Sequence, residues 1–324
     1  MERFARELSA RLPGLRPGRY AVARPPAPLA HRAGHGWEQA VLPVRARRAE
    51  LIYCPANLAP VASRRNVVVI HDVAALRHPE WYSGFYVRYQ RLLLPVLARR
   101  ARLVCTVSEF ARGELVSALG VPDDRVVVVQ NGVDERFSPH ADPEPVRAAH
   151  RLERPYVLAL GSLIARKNLP ALAVAERRLA AEGIELVTAG SARGYMRPDA
   201  RPPGRPLGYV PDEQLPGLYA GALALAMPSL YEGFGLPCIE AMACAVPVVA
   251  SDRAALPETC GDAALLVDPD EREALADALL RAAADAEVRR RLAAAGRKRA
   301  ASFTWERSAR LTDEAIGKLL ERSA

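Results

Sequence analysis

Two carboxylates, Glu232 and Glu240, lie eight positions apart around the turn Gly233-Phe234-Gly235, which follows an apolar run. Glycine adopts backbone angles that other residues avoid, so the order strand, tight turn and helix is predicted, with free amide groups at the helix start. Such a helix start attracts phosphate. At ~3.6 residues per turn, Glu240 falls about two turns inside the helix, and both carboxylates can face one cleft. The pair is suited to binding sugar and ribose hydroxyls.

Two adjacent cations, Arg166 and Lys167, come shortly after Gly161 and Ser162, which follow another apolar run. Positive charge near a helix start opposes the helix dipole, so an anion is expected close to this pair. Two such cations can neutralise a diphosphate as the bond to it breaks. The alternative is an exposed basic pair without a ligand.

A His71-Asp72 pair ends a valine-rich run in the first half of the chain. Ligands of open parallel sheets lie beyond the carboxyl ends of the strands, so His71 is a candidate for contact with a ligand. Asp72 would orient it or help to bind an acceptor; a structural histidine is the alternative. Ser108, after the next apolar run, can contact an acceptor, but a plain helix N-cap is the favoured interpretation.

The sequence Asp268-Pro269-Asp270 matches a pattern that holds divalent metals in some enzymes. It follows an apolar run, precedes a helical stretch and has no second acidic cluster nearby, so a turn and cap are predicted. We expect no metal and no cofactor. Arg166, Lys167 and the helix start are expected to neutralise the negative charge of a diphosphate instead.

Buried strands are predicted to position these residues, because short runs rich in Val and Ile alternate with helical patterns. The predicted strands are 51–54, 66–70, 103–107 and 125–130 in the first half, then 156–160, 184–189, 223–227, 247–251 and 264–267. The fold class is therefore α/β, with two doubly wound, Rossmann-like domains facing a cleft.

A proline-rich connector, residues 138–145, contains three prolines and separates the two series of strands. We predict a first domain over 1–140 and a second domain over 141–305. Residues 306–324 are expected to form a helix that packs back toward the first domain.

The composition excludes several classes of protein. Half of the 324 residues are apolar, which is enough for large cores and excludes a disordered chain. No apolar run approaches the ~20 residues that span a bilayer, and the first residues do not form a signal peptide. Five cysteines without a Cys-x-x-Cys pair indicate reduced, packed thiols. We expect a cytoplasmic protein.

The net charge of +8 is concentrated in residues 1–150, with 22 Lys and Arg against 14 Asp and Glu. A basic surface attracts nucleic acid, anionic lipid or phosphorylated substrates. No nucleic-acid-binding motif is present, and we expect no nucleic-acid partner. The helical stretch 82–100 has aromatic and basic residues that suit peripheral contact with the inner face of a membrane, although such helices more often pack on their own sheet.

The segment 232–240 resembles the Glu-x7-Glu signature of the retaining GT4 (group 1) glycosyltransferases, including mannosyltransferases. Further stretches agree with that family in order and spacing: 69–72, 107–110, 131–134, 161–162 with 166–168, 208–212 and 303–306. The resemblance implies a GT-B fold, with an acceptor-side domain over 1–140 and a nucleotide-sugar-binding domain over 141–305. It implies that His71 contacts the donor sugar and polarises the transition state. It also implies donor-binding roles for Gly161, Ser162, Val210, Gly233, Phe234, Gly235, Leu236 and Glu240, catalytic roles for His71, Arg166, Lys167 and Glu232, and acceptor-side roles for Asp72 and Ser108.

The function that this resemblance implies is metal-independent, retaining transfer of a hexose from a nucleotide sugar to a hydroxyl acceptor. GDP-mannose is the leading donor, with UDP-hexose left open. The acceptor would be a growing cell-surface glycan or glycolipid. The alternative is a non-catalytic relative that binds nucleotide sugar or a partner protein.

Two departures from the family pattern bear on that choice. The chain opens with residues that look like the family's first helix, so the first strand and its glycine-rich loop are expected to be missing. That expectation favours nucleotide binding over transfer. Ala245 stands where the family usually has glycine, and its extra methyl group is expected to be tolerated.

Overall fold

The structure is a computed structural model that describes residues 2–26, 34–191, 194–196 and 202–322. The described residues form two compact units. Unit 1 comprises those of Met1–Arg77, Tyr86–Gly132 and Thr304–Ala324, and unit 2 comprises those of His78–Phe85 and Val133–Phe303.

Unit 1 is built on a parallel sheet whose described strands follow each other in chain order. They are β1 (Ile52–Cys54), β2 (Asn66–Val69), β3 (Leu103–Thr106) and β4 (Val126–Val128). Val67 pairs with Leu103, and Val104 pairs with Val126. Because β2 and β3 are buried along their whole length, they read as continuous apolar runs, as expected for a covered parallel sheet.

The helices of unit 1 cover this sheet and include both the first and the last of the described helices. They are α1 (Glu2–Leu15), α2 (Gly34–Ala40), α3 (Leu42–Arg45), α4 (Ala74–Arg77), α5 (Gly84–Arg100, which begins in unit 2), α6 (Glu109–Leu119) and α14 (Trp305–Glu321). The last helix packs on α1, where the rings of Phe4 and Trp305 lie 5.9 Å apart and Arg11 pairs with Glu306 at 2.7 Å. The helix α5 continues through Pro95.

Unit 2 contains a six-stranded parallel sheet in the order β10-β9-β8-β5-β6-β7. The strands are β5 (Tyr156–Leu160), β6 (Glu185–Ala189), β7 (Arg205–Gly208), β8 (Ala224–Met227), β9 (Val248–Ser251) and β10 (Ala264–Val267). The order of connection reverses between the neighbours β5 and β8, which is the topological switch point of a Rossmann-type sheet.

Helices cover both faces of this sheet, since two separate apolar cores include its strand residues. They are α7 (Glu144–His150), α8 (Ala173–Ala181), α9 (Leu215–Ala220), α10 (Leu236–Ala243), α11 (Leu256–Cys260), α12 (Arg272–Ala284) and α13 (Ala286–Ala300). One core includes Tyr219 and Met242, and the other includes Leu179 and Leu279.

The predicted fold class, two α/β units on parallel sheets, is confirmed. Each strand that the sequence predicted is present, with ends that differ by at most two residues. The strand β7 was missed because Arg205-Pro-Leu-Gly208 is neither apolar nor rich in β-branched residues. It lies at the sheet edge, where a proline costs no ladder hydrogen bond. Among the described residues, no helix is long and apolar enough to cross a membrane.

Candidate active site

The switch point of unit 2 brings two loops together. One loop follows β5 and carries Gly161 to Lys167, and the other follows β8 and carries Glu232 to Gly235. Because β5 and β8 are hydrogen-bonded neighbours that run parallel, both loops leave the same edge of the sheet. Crevices at such reversals are the usual ligand sites of open α/β sheets.

Lys167, Arg166 and Glu232 form a buried charged cluster between these loops. Lys167 Nζ donates to Glu232 Oε1 at 2.7 Å, and Arg166 Nη1 lies 2.8 Å from Glu232 Oε2. Arg166 also donates to the carbonyl oxygen of Tyr231 at 2.6 Å. Lys167 and Glu232 are only 6% and 7% exposed. The anion that the cation pair was expected to need is thus supplied by the chain itself.

The charged cluster perturbs the pKa of two of its members. Burial alone would raise the pKa of Glu232, but Arg166 and Lys167 outweigh it and lower that pKa to about 2. Burial lowers the pKa of Lys167, and the carboxylate of Glu232 opposes that shift. Glu232 therefore stays ionised at neutral pH and helps to keep Lys167 protonated.

The local backbone explains where the cations lie. Arg166 and Lys167 belong to the short 3-10 turn Ala165–Lys167 and not to the start of an α-helix. Gly161 has φ +153°, and a Cβ at this position would lie 2.7 Å from Cε of Lys167. Glycine here leaves the space that the lysine side chain fills, which fixes Lys167 against the end of β5.

The glycine turn after Glu232 leads directly into α10. Gly235 is the N-cap residue, with φ +99°, and a Cβ there would lie 2.6 Å from Cδ2 of Leu256. The next residue, Leu236, begins the helix, and Pro237 then contributes no N–H. Phe234 is held through its carbonyl oxygen, which accepts a hydrogen bond from Thr259 at 2.5 Å. The backbone amides before Pro237 are therefore the donors that this helix start can offer.

Glu240 is buried inside α10, where its Oε2 accepts a hydrogen bond from the hydroxyl of Tyr219 at 2.9 Å. The sequence analysis did not identify Tyr219. The available signal was a tyrosine within the apolar segment Leu215–Ala220, because a buried hydroxyl needs a polar partner. Tyr219 fixes the orientation of the Glu240 carboxylate.

Val210 follows β7, and its side chain is buried in a core of unit 2. Only its backbone is therefore suited to contact a ligand. The neighbouring Tyr209 is 72% exposed.

A short segment before α5 also packs in unit 2. The imidazole of His78 stacks on Trp81, with the ring centroids 4.0 Å apart, and lies edge-on to Tyr231 at 5.6 Å. Tyr231 precedes Glu232 in the chain. The sequence analysis did not identify the position of this segment beside the residue that precedes Glu232.

In unit 1, His71 lies at the end of β2 and is buried. Its ring contacts Phe4 edge-on at 5.1 Å, and its Nε2 lies 3.0 Å from the carbonyl oxygen of Pro55. Burial lowers the pKa of His71 to about 3, so the ring is neutral at pH 7. A carbonyl oxygen only accepts, so Nε2 carries the proton and Nδ1 is the nitrogen with a lone pair.

The other two unit 1 candidates have local structural roles. Asp72 Oδ1 accepts a hydrogen bond from the backbone amide of Ala74 at 3.0 Å, at the start of α4. Ser108 is the N-cap of α6, and its Oγ accepts from the amide of Ala111 at 3.0 Å. The cap geometry of Ser108 is the one that the sequence favoured.

The segment Asp268-Pro269-Asp270 forms a turn closed by a hydrogen bond from the Asp270 amide to Asp268 Oδ1 at 2.9 Å. Both carboxylates pair with Arg253, at 2.9 Å and 2.6 Å. The helix α12 that follows has Glu271 at its N-cap without a side-chain hydrogen bond, so the predicted turn is present and a side-chain cap is not.

Two family models match the two halves of the chain. The model described as Glycosyltransferase Family 4 matches residues 2–137, and the model described as Glycosyl transferases group 1 matches residues 142–299.

Curated relatives and solved structures extend this similarity. The chain is 35% identical to O-antigen chain mannosyltransferase B of Escherichia coli over 70% of its own length and 64% of that protein. It is 30% identical to the GDP-mannose-dependent alpha-(1-6)-phosphatidylinositol monomannoside mannosyltransferase of Mycolicibacterium smegmatis over 69% of its own length and 63% of that protein. The chain thus spans somewhat less than two thirds of either relative.

Among solved structures, the Anabaena protein HepE in complex with UDP-glucose superposes with a TM-score of 0.69 at 20% identity, covering 86% of this chain and 82% of that one. At this identity the likeness bears on the fold alone.

Proposed function

The chain belongs to the group 1 glycosyltransferases of the GT4 type and has their GT-B fold, and from this we propose that it transfers mannose from GDP-mannose to a hydroxyl group of a glycan or glycolipid. The anomeric configuration is retained, and no metal takes part. The observation that carries this proposal is the adjacent cation pair at the switch point of unit 2, in which Lys167 is buried and Arg166 is half-buried.

The cation pair suits a leaving nucleoside diphosphate. Lys167 is buried and Arg166 is half-buried, and both pair with Glu232 at the edge where phosphate ligands of such sheets bind. As the glycosidic bond breaks, negative charge grows on the diphosphate, and fixed cations in a water-poor site stabilise it more than they stabilise the bound donor. Gly161 and Ser162 belong to the same loop as these two cations.

The remaining donor contacts follow the chain around this edge. The amides of Gly233, Phe234, Gly235 and Leu236 would donate to phosphate or sugar at the start of α10. Glu232 would accept from hydroxyls of the donor sugar. Glu240, oriented by Tyr219, would accept from the ribose, and the backbone of Val210 would meet the base.

Donor identity rests on the relatives. Both curated relatives described above are named mannosyltransferases, and one is named GDP-mannose-dependent. No side chain at the switch point by itself selects guanine over uracil, so the base is inferred from these names.

In unit 1, the proposed roles are constrained by hydrogen bonds already made. His71 is neutral and donates through Nε2 to Pro55, so it would contact a sugar hydroxyl as an acceptor through Nδ1. It would orient and polarise without taking up a proton at neutral pH. Asp72 would contact the acceptor through carboxylate lone pairs other than the one that accepts from Ala74, and Ser108 would contact it from the start of α6.

Metal independence is supported by where the positive charge lies. The two carboxylates of the Asp-x-Asp turn pair with Arg253, whereas the phosphate-binding edge has its own cations. We expect transfer to continue in EDTA. Loss of activity on chelation, with recovery on adding manganese or magnesium, would contradict this.

Peripheral membrane contact is proposed for the basic face of unit 1. Leu92 on α5 is 75% exposed and is flanked by the exposed Arg88, Arg91 and Arg99, and Val44 on α3 is 60% exposed. Apolar side chains among arginines match an anionic lipid surface. Sedimentation with phosphatidylglycerol vesicles should exceed that with phosphatidylcholine vesicles and should fall for Leu92→Glu. Equal binding to both lipids would reject the contact.

Transfer and binding are tested separately. Calorimetry with GDP and UDP measures nucleotide binding, and radiolabelled GDP-mannose or UDP-glucose with a lipid-extract acceptor measures transfer. Mannose incorporation with an α-linked product, read by NMR, supports the proposal. Binding without transfer favours the non-catalytic alternative. If neither nucleotide binds, the proposed function is rejected, and of the alternative only the binding of a partner protein is left.

A further inference from the structure

Glu232 is already paired with Arg166 and Lys167, the two cations that the proposed function assigns to the donor diphosphate. Its two carboxylate oxygens are divided between them, with Oε1 on Lys167 at 2.7 Å and Oε2 on Arg166 at 2.8 Å. A diphosphate would approach the same cations as an anion with oxygens at similar spacing. The carboxylate and the ligand therefore compete for the same donors.

The arrangement makes the carboxylate the partner most able to leave. Lys167 is confined by Gly161, against which it packs, and Arg166 is anchored by its second bond to the carbonyl oxygen of Tyr231. The backbone of Glu232 is held by a hydrogen bond from the Ala255 amide to its carbonyl oxygen at 3.2 Å. Its side chain can rotate about a fixed backbone while the cations keep their places.

We infer that Glu232 is an internal counterion that neutralises the cation pair in the empty site and is displaced by the diphosphate of the donor. This rests on the proposed function, and it assigns Glu232 a second role. The carboxylate becomes available to sugar hydroxyls only after a diphosphate has taken its place. When the nucleoside diphosphate product is to leave, the returning carboxylate competes with it and shortens its stay.

The inference has an electrostatic reason. Two buried cations without an anion would have a high desolvation cost, and the carboxylate offsets it in the absence of ligand. This stabilisation of the cations by Glu232 lowers the affinity for the ligand, because the ion pairs with Glu232 must break before the diphosphate binds. The burial-lowered pKa of Lys167 implies that removing Glu232 would lower this pKa further. Affinity is therefore to be compared at mildly acidic pH, which favours the protonated form of Lys167.

Calorimetry at pH 6.5 with inorganic pyrophosphate and with GDP tests the inference. Pyrophosphate reports on the cations without contributions from base, ribose or sugar. Glu232→Gln keeps the size of the side chain and removes its charge, and it should bind pyrophosphate about tenfold or more tightly than the unmodified chain. Glu232→Asp keeps the charge but shortens the reach, and its affinity should be intermediate.

The matched control is Asp270→Asn, which removes one carboxylate from the same unit at an exposed turn. It should leave pyrophosphate affinity unchanged, which separates a local effect from a change in net charge. In transfer assays Glu232→Gln should lower both KM for the donor and kcat, because binding tightens while the sugar contact and product release suffer.

The outcomes separate this inference from the proposed function. If the unmodified chain binds neither pyrophosphate nor GDP, the proposed function fails. If it binds both, and Glu232→Gln binds pyrophosphate equally or more weakly, the counterion role is overturned while the proposed function stands. Should Glu232→Gln not fold, an affinity of Glu232→Asp at or below that of the unmodified chain overturns it in the same way.

Discussion

Unit 2 buries charge and unit 1 buries a neutral ring, although both place their polar candidates at strand ends. In unit 2, Lys167 and Arg166 lie against Glu232, and each charge lowers the cost of burying its neighbour. In unit 1, His71 is kept uncharged and its Nε2–H is satisfied by a backbone carbonyl. Buried ionised groups need partners, whereas a buried neutral histidine needs only a hydrogen bond.

Topology explains why the charges gather in unit 2. Its strand order reverses between β5 and β8, so two loops that are far apart in sequence share one edge. The described strands of unit 1 follow one another in chain order, and this part of the sheet has no such reversal. The difference shows that a charged site depends on which loops the sheet brings together.

The largest expected effect comes from breaking the charged cluster of unit 2. Lys167→Met removes a buried charge-assisted contact of about 1.5–3 kcal/mol, and more in the transition state as the diphosphate gains charge. Nucleoside diphosphate binding should weaken and transfer should fall at least ~10-fold. Lys298→Met, on the exposed side of α13, is the matched control and should change neither. Unchanged binding and rate in Lys167→Met would refute the assignment.

The next largest effect is expected at Glu240 of unit 2 and at Tyr219, which donates a hydrogen bond to its carboxylate. Glu240→Ala should weaken nucleoside diphosphate binding by ~1–3 kcal/mol, because ribose hydroxyls lose a buried partner. Tyr219→Phe should weaken it by ~1 kcal/mol, as the carboxylate loses its orienting bond. Both variants should bind pyrophosphate normally.

Tyr156→Phe is the control for that pair, since its hydroxyl donates to the carbonyl oxygen of Leu218 at 2.7 Å inside the same unit. It should lower the free energy of unfolding without altering nucleotide affinity. Equal affinity losses in Tyr156→Phe and Tyr219→Phe would mean that the effect is one of general stability.

Acid titration compares the two units directly. The pKa of His71 is lowered from 6.5 to about 3 in the folded chain, so its stabilising contribution is complete above pH 6.5 and is lost as pH falls toward 3. The pKa of Glu232 is lowered from 4.5 to about 2, so its contribution is complete above pH 4.5 and is lost toward pH 2. Between pH 6.5 and 5 the His71 contribution should change and the Glu232 contribution should not. Burial raises the pKa of Glu38 to about 7, so its contribution changes with the opposite sign in the unmodified chain and in both variants alike.

Urea unfolding at pH 7.5 and pH 5 measures this difference. The unmodified chain should lose roughly 1.4 kcal/mol per pH unit below 6.5 from His71, and His71→Leu should lack that part of the slope. Glu232→Gln should keep the slope over this range. Identical slopes for His71→Leu and the unmodified chain would show that the histidine is not held neutral.

The smallest expected effect is steric and again belongs to unit 2. Among the described non-glycine residues with positive φ, unit 2 holds Arg151, Asn168, Ala245 and Ala254, and unit 1 holds Asn57. Ala245 has φ 60° just after α10, where an alanine costs about 1–2 kcal/mol. Ala245→Gly should therefore raise the free energy of unfolding by up to ~1 kcal/mol after the entropy cost of glycine.

Ala294→Gly, at an exposed helical position, is the control with the opposite expected sign, because it should destabilise the chain by ~1 kcal/mol. Thermal unfolding of both variants is the measurement. A loss of stability in Ala245→Gly would mean that its methyl group makes contacts worth more than the backbone strain.

Much of the fold was predictable because parallel strands buried on both faces are continuous apolar runs. Asn66–Val69 and Leu103–Thr106 in unit 1 and Ala224–Met227 and Val248–Ser251 in unit 2 are buried along their whole length and carry that pattern. The edge strand at Arg205 does not, because an edge needs neither two apolar faces nor a full set of ladder hydrogen bonds. Ser108 as a helix cap was likewise predictable, since capping is local.

The sequence by itself determined which segments become strands, turns and helices, and it placed Glu232, the glycine turn and the cation pair at strand ends. It also indicated that the cations need an anion. Only the tertiary structure decided that this anion is Glu232, 65 positions from Lys167, and that Tyr219 is the partner of Glu240. The reason is physical: strand and turn preferences act between near neighbours in the chain, whereas the partner of a buried charge is set by which strands lie side by side.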